Sequence, residues 1–317
     1  MKHLLYCALV GMLTVSPVHA AQPRLQEVTF VSHGATLAGS IAWPVDRPIT
    51  AAVVFIHSSG PQERDLGLAR RFAERGIAAL VYDKRGVARS GGVYEGNQSV
   101  TGMNIALLAD DAAAALDLLA ASDALGGAPV GLAGISQAGW IAPLAATKTT
   151  HARFLLLWSA PVCKVSEEDI YSKFTADSDG PDRPPYAAAL AARTEPYVWP
   201  DFLGRDTDAA ADLATLAIPG FFIYGGYDGS IPVDLSLRNL TALRRAGHRF
   251  DYTVSSVQGH NNMTATFVAA IEWIRQTIVS PGVHRLHELP LPSRANRAPH
   301  PAPARPATTA PARTARP

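Results

Sequence analysis

Only two cysteines, Cys7 and Cys163, occur in 317 residues, which excludes a disulfide-stapled fold and a cysteine-built structural zinc site. The core also lacks histidines at metal-ligand spacing, so no metal and no organic cofactor is expected. Apolar runs long enough to span a bilayer are missing; the one at residues 4–15 is too short. Neither charge sign is in excess. Lys and Arg number 28 against 27 Asp and Glu, which removes the basic surface a nucleic-acid partner needs. What is present, 48% hydrophobic and 17% charged residues, is the composition of a globular protein with one large core.

The two ends differ from that core. Lys2, the apolar stretch and the small residues around Val18-His19-Ala20 read as a secretory leader cleaved after Ala20, so the mature chain is expected in a periplasm or outside the cell. A retained anchor is the other reading; cleavage leaves no stable membrane insertion. Cys7 and Lys2 leave with residues 1–20, so Cys163 remains alone and 28 minus one gives 27 basic residues against 27 acidic. Residues 285–317 carry six arginines against Glu288, so the folded part is mildly acidic. Pro, Ala and Arg dominate residues 288–317, which bury too little surface to offset their ordering entropy and are expected to be disordered.

Residues 28–31 and 36–43 read as an antiparallel pair turning at Gly34. Residues 51–56 are continuously apolar, as a strand covered on both faces must be, and similar runs recur at 77–82, 130–135, 154–158 and 221–224. Helical patterns lie at 66–74, 105–121, 137–146 and 235–245, and residues 250–254 and 263–278 supply a last strand and helix. This alternation predicts an α/β fold, a mostly parallel central sheet with helices on both faces, built from residues 21–162 and 213–280. Residues 163–212 break the alternation. They hold scattered aromatics such as Tyr171, Phe174, Tyr186 and Phe202, and an insertion of this length predicts a cap above the carboxyl ends of the strands.

"GISQAGW", residues 134–140, falls between a predicted strand and a predicted helix. A nucleophile there needs a sharp turn that lifts its hydroxyl from the sheet, and the crowded backbone admits only small neighbours. Gly134, Ala138 and Gly139 are small, although the usual pattern places glycine at the position of Ala138. The plainer reading makes Ser136 a helix cap. A serine attacks only when a base takes its proton and an acid holds the base's tautomer. "FFIYGGYDGSIPV" places Asp228 after one strand, and "VSSVQGHNN" places His260 after the last. Singly, such an aspartate is a turn residue and such a histidine structural. Their order, serine then acid then histidine, and their shared edge of the sheet join them into one catalytic set.

With these residues in place, the sequence resembles the alpha/beta-hydrolase superfamily over about 28–278, and within it bacterial exported serine esterases and peptidase-like hydrolases. "VVFIHSSGPQERD", "LVYDKRGVARSGG", "GISQAGWIAPLAA", "IYGGYDGSIPV" and "QGHNN" carry the likeness. The resemblance implies Ser136 as nucleophile, Asp228 as acid and His260 as base. It also implies an oxyanion hole made by the Gln137 amide and by the Ser58 or Ser59 amide, donors that act on charge present only at the tetrahedral stage. His57 is expected to orient that loop. Besides Ala138, two positions depart from the pattern: Ser58 where glycine commonly follows this histidine, and Ala88 where glycine is common. Asp83 and Arg85 are expected to pair or cap locally.

A serine at the elbow argues against the aspartate attack that the resemblance implies for dehalogenases and epoxide hydrolases. The expected reaction is acyl transfer to water through an acyl-enzyme. Eleven acidic residues against five basic ones in 163–212 disfavour polyanionic substrates such as acyl-CoA thioesters. A small-molecule carboxylic ester is the expected partner. The rival enzyme is an aminopeptidase whose acidic cap holds a free amino group, and the rival of another class is a noncatalytic binding protein on the same scaffold. The oligomeric state stays open.

Overall fold

A computed structural model of the chain describes residues 21–96 and 99–280; the expected leader and the Pro/Ala/Arg-rich tail lie outside them. Eight strands form one sheet: β1 (Arg24–Ser32), β2 (Ala35–Trp43), β3 (Ala51–Ile56), β4 (Ile77–Tyr82), β5 (Val130–Ile135), β6 (Ala152–Trp158), β7 (Gly220–Gly225) and β8 (Phe250–Ser255). Their order is β1-β2-β4-β3-β5-β6-β7-β8. β1 and β4 pair with β2 antiparallel, and every other pairing is parallel. β1 begins earlier than its apolar residues imply. Its ladder runs from Arg24 opposite Trp43 to Ser32 opposite Ala35, because backbone pairing at an exposed edge needs no buried side chains.

The helices are α1 (Leu66–Ala73), α2 (Gly102–Ala120), α3 (Ala138–Thr147), α4 (Val165–Thr175), α5 (Tyr186–Ala191), α6 (Ala209–Leu213), α7 (Val233–Arg245) and α8 (Met263–Trp273), the last running into a wider turn at Ile274–Val279. Three of them start at side-chain caps that the apolar periodicity does not reveal. Asp65 accepts the Leu68 N–H, Thr101 the Asn104 N–H, and Asp208 the Ala210 and Ala211 N–H groups. α1 and α8 cover one face of the sheet through Phe72 and Phe267 against Phe55 and Leu156. α2, α3 and α7 cover the other through Ile105, Trp140 and Leu240 against Leu80 and Leu132. Every residue of β3 and β4 is buried, which accounts for their unbroken apolar runs. At roughly 1.5–3 kcal/mol for each fully buried large side chain, this sheet is a stiff platform for the loops at its ends.

From β3 the chain crosses to β4 on one side and then returns to β5 on the other. That reversal opens a crevice at the carboxyl ends of β3 and β5, where open α/β sheets bind ligands. α4, α5 and α6 lie between β6 and β7. Tyr171 and Tyr186 are buried with Cys163, Ile170 and Leu235, so these aromatics dock the segment, while Phe202 stands 74% exposed. Among the described residues, no helix is long and apolar enough to cross a membrane.

Candidate active site

Ser136 follows the last residue of β5 and has φ +57°. The left-handed region costs a residue with a side chain about 1–2 kcal/mol, and the surrounding structure holds it there: the Ser136 N–H donates to Trp158 O at 3.0 Å, and Ser136 O accepts the Gly139 N–H at 2.8 Å. The small neighbours have specific reasons. A Cβ on Gly134 would lie 2.4 Å from Ala138 Cβ and 2.9 Å from Ile56 O, and one on Gly139 would lie 2.6 Å from Pro161 Cδ. Ala138 therefore fits because residue 134 is glycine, and the close approach that demands a second glycine falls at 139. Ser136 is half-buried, and its hydroxyl has no hydrogen-bond partner among the described residues, so no direct bond to His260 is formed here.

Asp228 follows β7 and is 1% exposed. Its Oδ1 accepts the Ser230 and Ile231 N–H groups at 2.9 Å each, and both its oxygens lie 3.0 Å from His260 Nδ1. Burial pulls the His260 ring toward neutrality, but the bond to Asp228 and the charges of Asp228, Asp179 and Asp177 outweigh it and raise the pKa. The loop of His260 is fixed from further sides. Its N–H donates to Asp179 Oδ2 at 2.9 Å, and its carbonyl accepts the Ser159 hydroxyl at 2.7 Å. Asp179 Oδ1 also accepts the Gly229 N–H at 2.9 Å, so one carboxylate from the inserted segment ties the Asp228 loop to the His260 loop.

At the carboxyl end of β3, the amide N–H groups of Ser58 and Ser59 have no acceptor among the described residues, nor has that of Gln137 beside the serine. Ser58 lies outside the positive-φ region, so its backbone accommodates a side chain without strain. His57 is buried and held to about pKa 4, chiefly by burial; its neutral ring donates from Nε2 to Tyr82 O. That bond ties the residue after β3 to the end of β4. Ala88 takes the conformation its missing glycine would favour, φ +45°. Asp83 and Arg85 do not pair with each other. Asp83 accepts the Arg64 guanidinium through two bonds, 2.7 and 3.0 Å, and the Arg64 N–H at 2.9 Å, and caps the Arg89 N–H at 3.2 Å, whereas Arg85 pairs with the fully buried Asp111.

Four residues near the site escape sequence reasoning: Lys84, Ser159, Glu168 and Asp179. Lys84 is 2% exposed, and its Nζ donates to Ser58 O, Gly60 O and Gln137 Oε1. Glu168, on α4, is half-buried, its carboxyl has no hydrogen-bond partner among the described residues, and its pKa is pushed up to about 8 by burial and then by Asp177, Asp169 and Asp228. An open cavity of about 450 Å³ lined by Pro129, His151, Arg153, Pro219 and Arg249 lies at the opposite, amino end of the strands and holds none of these groups.

A doubly covered sheet with a serine in a left-handed turn after β5 and a carboxylate–histidine pair beyond β7 and β8 has the architecture of an alpha/beta hydrolase. Residues 47–211, more than half the chain, match the family described as serine aminopeptidase, S33, and the chain belongs to that family. Among solved structures it is similar to the Pyrococcus horikoshii acylaminoacyl peptidase (TM-score 0.62, 15% identity, 82% of this chain and 42% of that one). It is also similar to a Pyrococcus furiosus esterase (TM-score 0.58, 14% identity, 80% of this chain and 89% of that one). A third is the Porphyromonas gingivalis dipeptidyl peptidase 4 (TM-score 0.57, 16% identity, 80% of this chain and 35% of that one). The chain thus spans well under half the length of either peptidase and most of the esterase's. At these identities the likeness is one of fold. No curated protein matches the sequence.

Proposed function

We propose that this chain is an exported serine hydrolase that cleaves carboxylic esters through an acyl-enzyme on Ser136. The observation that carries the reading is the left-handed turn at Ser136, at the same end of the sheet as the bonded Asp228–His260 pair. His260 Nε2 takes the hydroxyl proton as Oγ attacks the carbonyl carbon, while Asp228 holds the Nδ1–H and so keeps Nε2 an acceptor. Gln137 N–H, with Ser58 or Ser59 N–H, receives the oxyanion. The alcohol leaves with the proton from His260, and water activated by the same ring releases the acid. Esters come first because a site able to attack an amide also attacks an activated ester, whose leaving group departs with less help. Carboxylates near the pair favour neutral over anionic substrates. Export rests on the leader at residues 1–20.

A fluorophosphonate is expected to label the folded protein with the adduct on the peptide carrying Ser136, and para-nitrophenyl esters are expected to turn over faster than amino-acid para-nitroanilides. Anilide turnover without an ester preference overturns the ester assignment, and folded protein that forms no adduct leaves the noncatalytic reading.

Glu168 favours a second reading, an aminopeptidase. Its carboxyl has no hydrogen-bond partner among the described residues, its pKa is raised by burial first and then by the nearby carboxylates, and a substrate ammonium would supply a countercharge. A bond of that kind is worth roughly 1.5–3 kcal/mol. Glu168→Gln is then expected to raise KM about tenfold more for an amino-acid anilide than for its N-acetyl counterpart, measured by steady-state kinetics on both.

A further inference from the structure

Lys84 leaves the end of β4 and turns inward, and its three ammonium protons meet three neutral acceptors: Ser58 O at 2.9 Å, Gly60 O at 3.1 Å and Gln137 Oε1 at 2.8 Å. Gln137 is fixed in turn, its Nε2 donating to Ser99 O at 2.8 Å. One buried cation thus joins the loop after β3 to the residue following Ser136. The link has a directional consequence. In a trans peptide the C=O and N–H point oppositely, and no peptide bond among the described residues is cis, so holding Ser58 O toward Lys84 turns the Ser59 N–H to the opposite side of the loop. Ser58 and Ser59 are then no longer equivalent candidates: the Ser59 N–H faces away from Lys84.

We propose that protonated Lys84 is a positioning residue that sets the oxyanion hole, aiming the Ser59 N–H and locking it in register with the Gln137 N–H. The inference rests on the serine-hydrolase reading above. The groups around Lys84 leave it without a countercharge: the His57 ring is neutral, the Tyr94 ring centroid lies 6.0 Å away, Asp83 is engaged by Arg64, and Arg85 by Asp111. Burial accordingly lowers its pKa to about 8. When the proton leaves, one of the three donors is lost and the loop loosens. Folding moves the other way. The unfolded chain keeps this proton to higher pH, so stability rises between the folded and unfolded values while activity falls.

The test follows the rate of fluorophosphonate labelling and the kcat for para-nitrophenyl acetate across the alkaline range in wild type, Lys84→Met and Lys84→Arg, with a melting curve at each pH. Lys84→Met is expected to lower kcat about 10²-fold with KM little changed, the cost of disturbing one oxyanion donor. Wild type is expected to lose activity on the alkaline side without losing stability, and Lys84→Arg, whose guanidinium keeps its charge, to lack that limb. A wild-type profile flat through the alkaline range overturns the inference, even if neither variant folds; so does a limb that persists in Lys84→Arg, or folded Lys84→Met that labels at the wild-type rate. Folded wild type that forms no Ser136 adduct overturns the hydrolase reading itself.

Discussion

Asp228→Asn is expected to lower kcat/KM about 10⁴-fold while the protein remains folded. Asp228 makes two kinds of contact at once: it accepts the Ser230 and Ile231 amides and the His260 ring, all at 2.9–3.0 Å. An amide has only one oxygen. If that oxygen keeps the two backbone N–H groups, its NH2 faces Nδ1 and selects the tautomer with the proton on Nε2, which cannot accept a proton from Ser136. The shape of the pH profile is also expected to change. In wild type, burial opposes the charged ring, but the Asp228 contact and the neighbouring carboxylates raise its pKa, so activity climbs with pH through that raised value. Without the Asp228 charge, the acid limb moves to lower pH. Stability has the opposite dependence: a ring that holds its proton more tightly when folded stabilises the fold at low pH and loses that contribution as pH rises through the folded value. Steady-state pH profiles beside melting curves separate the two. Activity within tenfold of wild type would remove Asp228 from the catalytic set.

The sheet was legible in the sequence because its strands are buried on both faces, and burial writes an unbroken apolar run that periodicity detects. The turn at Ser136 and the Asp228–His260 contact were legible for a related reason: Ser136 directly follows one such run and Asp228 lies in the glycine-rich loop after another, whereas His260 sits in the loop beyond the partly exposed β8 and was marked out by chain order. The edge strand β1 was read short because its first half faces solvent. Of the expected local pairing or capping by Asp83 and Arg85, the cap is present, Asp83 on the Arg89 N–H, while the pairing is replaced by two separate anchors, Arg64 and Asp111. Lys84 was invisible for a chemical reason: a lysine in a loop is solvated unless the fold supplies acceptors, and here they come from two other loops. Asp179 was invisible for a topological one. It lies 81 residues before His260, in a segment without periodicity, and only the folded arrangement of α4 and the following turn brings it to the base.

That carboxylate carries the second large effect. Asp179→Asn is expected to lower kcat/KM about 10²-fold, the scale of a small displacement of a catalytic group. The two oxygens of Asp179 serve two backbone donors, Gly229 N–H and His260 N–H, each at 2.9 Å. In the amide, one of these donors meets an NH2 instead, leaving an N–H unsatisfied at roughly 1–3 kcal/mol and pushing either the acid loop or the base loop away. The fit leaves no slack. A Cβ on Gly259 would lie 1.8 Å from Asp179 Oδ2, so Gly259→Ala strains the same contact from the other side and is expected to produce the same kinetic defect. Asp179 also helps to raise the His260 pKa, after the burial that opposes it and the Asp228 contact. Its neutralisation therefore moves the acid limb of the pH profile downward, by less than Asp228→Asn does. A carboxylate that only braced the inserted segment would lower the melting temperature and leave that limb in place, so the limb decides whether the segment helps to hold the base.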